Sequence, residues 1–159
     1  MRLRTKELLV RDFCEEDLDA LHEIYADSEV MEYLGGPIEN KVDTRDEMEG
    51  SCLGDAPTRF AVVESGSGKL IGEVTFLLHQ EEDVKGECEI GWALAKDWWR
   101  KGLAQQLTEA LLREAKRRGA KAVFLCCEEG QEGPIHIAEK FGMEYVGLEW
   151  GQLEYRKEL

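Results

Sequence analysis

The chain is short of proline, of basic residues, of long apolar runs and of paired cysteines, and each shortage narrows what it can be. Three prolines in 159 residues leave no material for a Pro-rich linker. No apolar run approaches the roughly 20 residues that a helix needs to span a bilayer, so no membrane partner is expected. The opening Met1-Arg2-Leu3-Arg4-Thr5 lacks the apolar core of a signal peptide, and a cytoplasmic protein is the expectation. Lys and Arg number 20 against 34 Asp and Glu, a formal charge of −14. Such a charge repels phosphate backbones, which speaks against nucleic acid as a partner. It keeps a protein soluble, and it would also draw in a cationic substrate. The five cysteines (Cys14, Cys52, Cys88, Cys126 and Cys127) are odd in number and contain no CxxC pair. Neither a disulfide framework nor a zinc site is expected from them, and no metal. They read as small apolar groups, with Cys126 and Cys127 on opposite faces of one strand.

What is present is the composition of one globular domain over residues 1–159, 43% hydrophobic and 34% charged, long enough to bury a core. Leu8-Leu9-Val10 reads as a strand. Glu15, Glu16 and Asp17 suit the positive end of a helix whose apolar face is Leu18, Leu21, Ile24 and Tyr25. Ser28 is placed to cap a short turn through Tyr33, and Thr44-Arg45-Asp46-Glu47 has the form of a capping box. Phe60–Glu64 and Leu70–Leu78 form a hairpin around Ser65-Gly66-Ser67-Gly68. The Gly66–Lys69 segment is no P-loop, because Val63 stands where its first glycine should be and no helix pattern follows. Cys88–Leu94 is the next strand. Leu103, Leu107, Ala110, Leu111 and Ala115 mark the clearest helix, closed by Gly119. Strand Ala122–Cys127, a helix from Pro134 to Lys140, and strands Met143–Trp150 and Leu153–Lys157 complete the chain. The order predicts an α/β domain with a mixed, mostly antiparallel central sheet flanked by helices.

One stretch carries chemistry. Trp98-Trp99-Arg100-Lys101-Gly102-Leu103-Ala104-Gln105 lies between a strand and the best helix. Gly102 and Ala104 allow a ligand close to the backbone, the first helical turn aims N–H groups outward, and the dipole favours an anion. Arg100 and Lys101 add positive charge in an acidic chain. This is an anion pocket suited to a pyrophosphate.

The stretch resembles the coenzyme A-binding motif of the GNAT acetyltransferases, Gln/Arg-x-x-Gly-x-Gly/Ala, with Trp99 first and Gly102 and Ala104 matching. Further segments are similar to the ribosomal-protein-alanine N-acetyltransferase (Rim-type) branch. They are Leu8–Phe13, Glu16-Asp17-Leu18, Ser28–Gly35, Glu89-Ile90-Gly91-Trp92 and Glu139–Met143. The resemblance spans nearly the whole chain. It implies a transferase that moves an acetyl group from acetyl-CoA to a primary amine, on a protein N-terminus or a small molecule. It places the pyrophosphate on amides of Arg100, Lys101, Gly102, Leu103 and Ala104. It lays the pantetheine beside Trp92, Ala93 and Leu94, whose N–H groups would steady the thioester oxygen as it gains charge. The amine attacks directly. An amine whose pKa is about 8 to 10 needs a base, and Glu89 is the catalytic residue that the resemblance assigns. Glu73 is the reserve base and an acceptor contact, and Tyr33 borders the acceptor. Trp98 and Trp99 are read as packing residues that hold the loop.

The family pattern is departed from at three places. Gln131 replaces an Asn that touches the pantetheine, Pro134 replaces a small residue after it, and Ala138 stands where some relatives carry a Tyr acid. Two other readings keep the fold: a polyamine or aminoglycoside-type acetyltransferase, favoured by the charge of −14, and a non-catalytic acyl-CoA-binding domain. Monomer and homodimer are both compatible with the sequence, the final strands being the candidate edge for a dimer.

Overall fold

Apolar periodicity puts most elements where they stand. The computed structural model describes residues 1–149 and 151–159. Trp150, expected in the penultimate strand, lies outside the described residues. In chain order the elements are β1 (Leu3–Arg4), β2 (Leu8–Arg11), α1 (Leu18–Tyr25), α2 (Lys41–Ser51), β3 (Arg59–Glu64) and β4 (Leu70–Leu78). Then follow β5 (Glu87–Leu94), α3 (Leu103–Arg117), β6 (Ala122–Cys127), α4 (Glu132–Lys140), β7 (Glu144–Glu149) and β8 (Gln152–Glu158). The strand order is β1-β2-β3-β4-β5-β6-β8-β7. The registered pairs are antiparallel except β5 on β6, which run parallel with α3 as their crossover. This is the mixed, mostly antiparallel α/β architecture that the sequence predicts. β1 is the one strand without a sequence signal, because two residues carry no period.

The chain divides into two compact units. The first comprises Met1–Thr75 and Trp92–Gln106. Its core is the stripe of α1 (Leu18, Leu21, Ile24, Tyr25) against Phe13, Met31, Met48, Cys52 and Leu70. Each such side chain contributes roughly 1.5–3 kcal/mol when fully buried. Two caps differ from expectation. Asp27, not Ser28, holds the turn after α1, its Oδ1 accepting from the N–H groups of Glu29 (2.9 Å) and Val30 (3.3 Å). A carboxylate folded back onto its own following amides forms an Asx turn more strongly than a hydroxyl does. Helix α2 starts at Lys41, ahead of Thr44, with Asn40 Oδ1 accepting from Asp43 N–H at 2.9 Å. Thr44 is then an interior residue, buried with its hydroxyl 2.8 Å from His22 Nδ1. Asn caps at least as well as Thr, and here it leaves Thr44 to pack.

The second unit comprises Phe76–Gly91 and Leu107–Leu159. The α3 stripe, Leu107, Ala110, Leu111 and Ala115, is buried there, as are Val123, Leu125 and Tyr155. Cys127 is buried and Cys126 half-buried, the opposite faces that strand alternation requires. Helix α4 begins at Glu132, earlier than the Pro134 start read from sequence. Pro134 still falls in the first turn, where its missing N–H removes no intrahelical bond.

Gly72 on β4 stands against Ala93 and Leu94 of β5. A Cβ there would collide with the Ala93 carbonyl oxygen and come within 2.8 Å of Leu94 Cδ2. The colliding atom is backbone, so it cannot swing aside. Gly72→Ala is expected to cost about 1–3 kcal/mol, the usual penalty of overpacking, as a lowered midpoint in denaturant unfolding.

Candidate active site

The end of β5 is tied down before the chain turns into α3. Ala95 N–H donates to Ile71 O at 2.8 Å, and a 3₁₀ turn over Lys96–Trp98 follows. Trp99 remains 40% exposed, yet its indole Nε1–H donates to Leu94 O at 2.7 Å. The Lys101 ammonium lies over the Trp98 ring, 4.9 Å from its centre. These contacts give the two tryptophans the loop-holding role read from the sequence.

Between them and α3 the backbone is unusual. Arg100 has φ of +58° and Gly102 has +74°. Among the described residues Arg100 is the one non-glycine with positive φ. A side chain in that region costs about 1–2 kcal/mol, and such strain gathers where a ligand needs a particular backbone path. Gln106 N–H donates to Gly102 O at 3.3 Å, so Gly102 caps α3. Helix α3 runs for 15 residues with no acid in its first turn. In a chain with 34 acidic residues, that leaves the first turn itself without a carboxylate to offset the positive dipole end. Arg100 and Lys101 are exposed beside it. Nothing lies within 4 Å of where a Gly102 Cβ would stand. The turn thus joins left-handed backbone at Arg100 and Gly102 to two exposed cations, a setting that suits an anion.

The other predicted residues fall as follows. Trp92 is half-buried, while Ala93 and Leu94 are buried. Strict alternation from Cys88 and Ile90 would bury Trp92, so the pleat changes phase there. Leu103 is buried, and Ala104 half-buried. Tyr33 is half-buried in the turns after α1. Glu89 is half-buried on β5 opposite Phe124 of β6, the last pair of a parallel register that begins at Glu87 and Ala122. Phe124 is stacked by His79, ring centres 5.9 Å apart. Gln131 heads α4, its Oε1 accepting from Glu128 N–H at 2.8 Å. Ala138 is buried. The first unit therefore gathers Tyr33, Glu73, Trp92, Ala93, Leu94 and the turn from Arg100 to Ala104. Glu89 and Gln131 belong to the second.

The sequence reading missed a buried polar cluster around Glu73. Tyr25 Oη donates to Glu73 Oε2 at 2.6 Å, and Arg59 Nη1 donates to Tyr25 Oη at 3.2 Å. Arg59 Nη1 also lies 3.9 Å from Glu73 Oε1 and 3.5 Å from Glu47 Oε2. Burial pushes the Glu73 carboxyl up, opposed by Arg59 and by the Tyr25 hydrogen bond. The available signal was a lone carboxylate in the apolar run Leu70–Leu78, which demands partners. The partners themselves come from α1 and β3 and carry no local mark.

Because the Tyr25 hydrogen bond favours charged Glu73, Tyr25→Phe raises that carboxyl further above its unfolded value. A raised carboxyl contributes stability below its unfolded pKa and loses it as pH rises through the folded one. The variant therefore loses about 1–3 kcal/mol, and more at pH 8 than at pH 5. Denaturant unfolding at the two pH values measures both quantities.

The comparisons with known proteins make the chain an acyl-CoA-dependent N-acyltransferase. Residues 7–144 match the acetyltransferase (GNAT) domain family, and the chain belongs to that family. It is 27% identical over 149 residues to YnaD, an uncharacterized N-acetyltransferase of Bacillus subtilis (strain 168), spanning 93% of this chain and 85% of that protein. The crystal structure of a GNAT-family acetyltransferase from Bacillus anthracis is 26% identical with a TM-score of 0.82, over 98% of this chain and 96% of that one. A third likeness is of fold alone: RimL, a ribosomal L7/L12 alpha-N-protein acetyltransferase in complex with coenzyme A. Its TM-score is 0.81 at 16% identity, over 100% of this chain and 98% of that one.

Proposed function

We propose that the protein transfers an acetyl group from acetyl-CoA to a primary amine, on a protein N-terminus or a small molecule. The observation that carries this reading is the Arg100–Gly102 turn. Its left-handed backbone, its two exposed cations and the acid-free first turn of α3 fit the pyrophosphate of a coenzyme A. Trp92, Ala93 and Leu94 lead into that turn on one strand, the place for the pantetheine arm. Acetyl-CoA supplies an activated thioester carbonyl when bound. The chain's own residues orient it and take up a proton. Glu89, half-buried on β5, is the base for the attacking ammonium. Gln131 is the pantetheine contact from α4 through the amide group that Glu128 does not engage. Tyr33 borders the acceptor, and Glu73 is the reserve base and a second acceptor contact.

Direct attack by the amine fits the state of the thiols. Burial pushes Cys52 and Cys88 up to about 12 and Cys126 up to about 11. Cys14 and Cys127 are raised as well. Thiols held protonated are poor nucleophiles, so no acyl-cysteine route is favoured. The charge of −14 favours a cationic acceptor such as a polyamine as the second reading.

Two variants test the proposal. Gly102→Asp places a carboxylate in the turn, where a side chain meets no protein atom and costs only about 1–2 kcal/mol of backbone strain. With no atom within 4 Å of a Cβ there, the unliganded variant is expected to melt cooperatively but to lose thermal stabilisation by acetyl-CoA; undiminished stabilisation would remove the turn as the coenzyme site. Glu89→Gln is expected to leave that stabilisation intact. It should lower turnover roughly 10²–10⁴-fold in a coenzyme-release assay over a panel of amines. An unchanged pH–rate profile would remove Glu89 as the base.

A further inference from the structure

The outer strand of the second unit is more apolar than an exposed edge should be. β7 is the last strand in the sheet order, so one of its edges has no strand beside it. Tyr145 is 53% exposed, Val146 54% and Leu148 67%. They are three of the six large hydrophobics exposed among the described residues, and they fall on one six-residue strand. The strand holds no lysine and no proline, the residues that blunt an edge against added strands. Its register on β8 shifts between Tyr145 and Gly147, a local irregularity that leaves both ends paired.

Charge decides what fits there. β7 begins with Glu144 and ends with Glu149, both exposed. Glu154 of β8 stands opposite Gly147, inside the same strand pair. The cation nearest in register, Arg156 opposite Glu144, is committed to Glu87 at 2.8 Å and to Glu158 at 3.1 Å. Glu149 faces the neutral Gln152. A second copy is a poor occupant. Two-fold pairing of β7 centred between Val146 and Gly147 would set Glu144 against Glu149 twice, between two chains of −14 each.

We propose that the outer edge of β7 docks an extended segment of another protein, with lysine or arginine at its ends and β-branched or aromatic residues between. The segment adds a strand to the sheet. Its main chain pairs with the open edge, its apolar side chains cover Tyr145, Val146 and Leu148, and its cations meet Glu144 and Glu149. This does not depend on the acetyl-transfer reading.

The probe is a fluorescein-labelled peptide Lys-Val-Thr-Ile-Thr-Val-Lys, read by fluorescence anisotropy against the intact chain at low salt. The control has glutamate in place of each lysine. Saturable binding of the lysine peptide and none of the control is expected. The double variant Glu144→Lys, Glu149→Lys should weaken binding roughly two- to thirtyfold, and Val146→Lys should weaken it as well. Far-UV circular dichroism and cooperative thermal melting should be unchanged in all of them, which shows that the variants fold. Failure of the lysine peptide to bind the parent, or equal binding of both peptides, would overturn the proposal. So would a homodimer in sedimentation that Val146→Lys dissolves, because a second copy would then own the edge.

Discussion

How the chain passes from β5 into α3 is the constraint on which the proposed coenzyme site depends. The strand is held by Ala95 N–H on Ile71 O and by the Trp99 indole on Leu94 O. Behind it, Gly72 admits the Ala93 carbonyl where any side chain would stand in the way. With the strand end fixed, the short connection reaches the first turn of α3 through left-handed backbone at Arg100 and Gly102. Glycine adopts that region freely, but arginine does not. The strain at Arg100 is held in place by its anchored neighbours, and Arg100 and Lys101 stand exposed just before a helix whose first turn carries no acid. Packing, backbone strain and electrostatics thus converge on one short segment.

The acidic residues divide by environment. Most are solvated and give the chain its repulsion toward polyanions. Glu73 is different: burial pushes its carboxyl up, and Arg59 and the Tyr25 hydrogen bond oppose that shift. Glu114 differs again. Arg117 and Arg118 hold its carboxyl down at about 2, both at 2.7 Å, and they close the C-terminal end of α3 where cations suit the dipole. Glu89 shares its strand with the residues that lead into the turn, three positions before Trp92.

Much of this was legible in the sequence, for physical reasons. Helix α3 stands where its period dictates, because burial of one face is both the pattern and the stabilising force, and β4 and β6 stand on the apolar runs that mark them. The turn was legible because Gly102 and two adjacent cations before an amphipathic helix are a local arrangement. Caps were less so. Asp27 and Asn40 displaced Ser28 and Thr44, since several side chains compete for the same amides and the winner depends on what else must be buried. The Tyr25–Glu73–Arg59 cluster was illegible, because its members come from three elements and meet only in the fold. The left-handed Arg100 was equally hidden, since nothing in an Arg-Lys-Gly string announces a positive φ.

The account rests on the coenzyme lying on the Arg100–Leu103 turn, and amide chemical shifts report that directly. In a ¹⁵N-labelled sample titrated with acetyl-CoA, the account predicts saturable shifts largest at Arg100, Lys101, Gly102 and Leu103, with Trp92–Leu94 following. Saturable shifts elsewhere with these amides unmoved would contradict it.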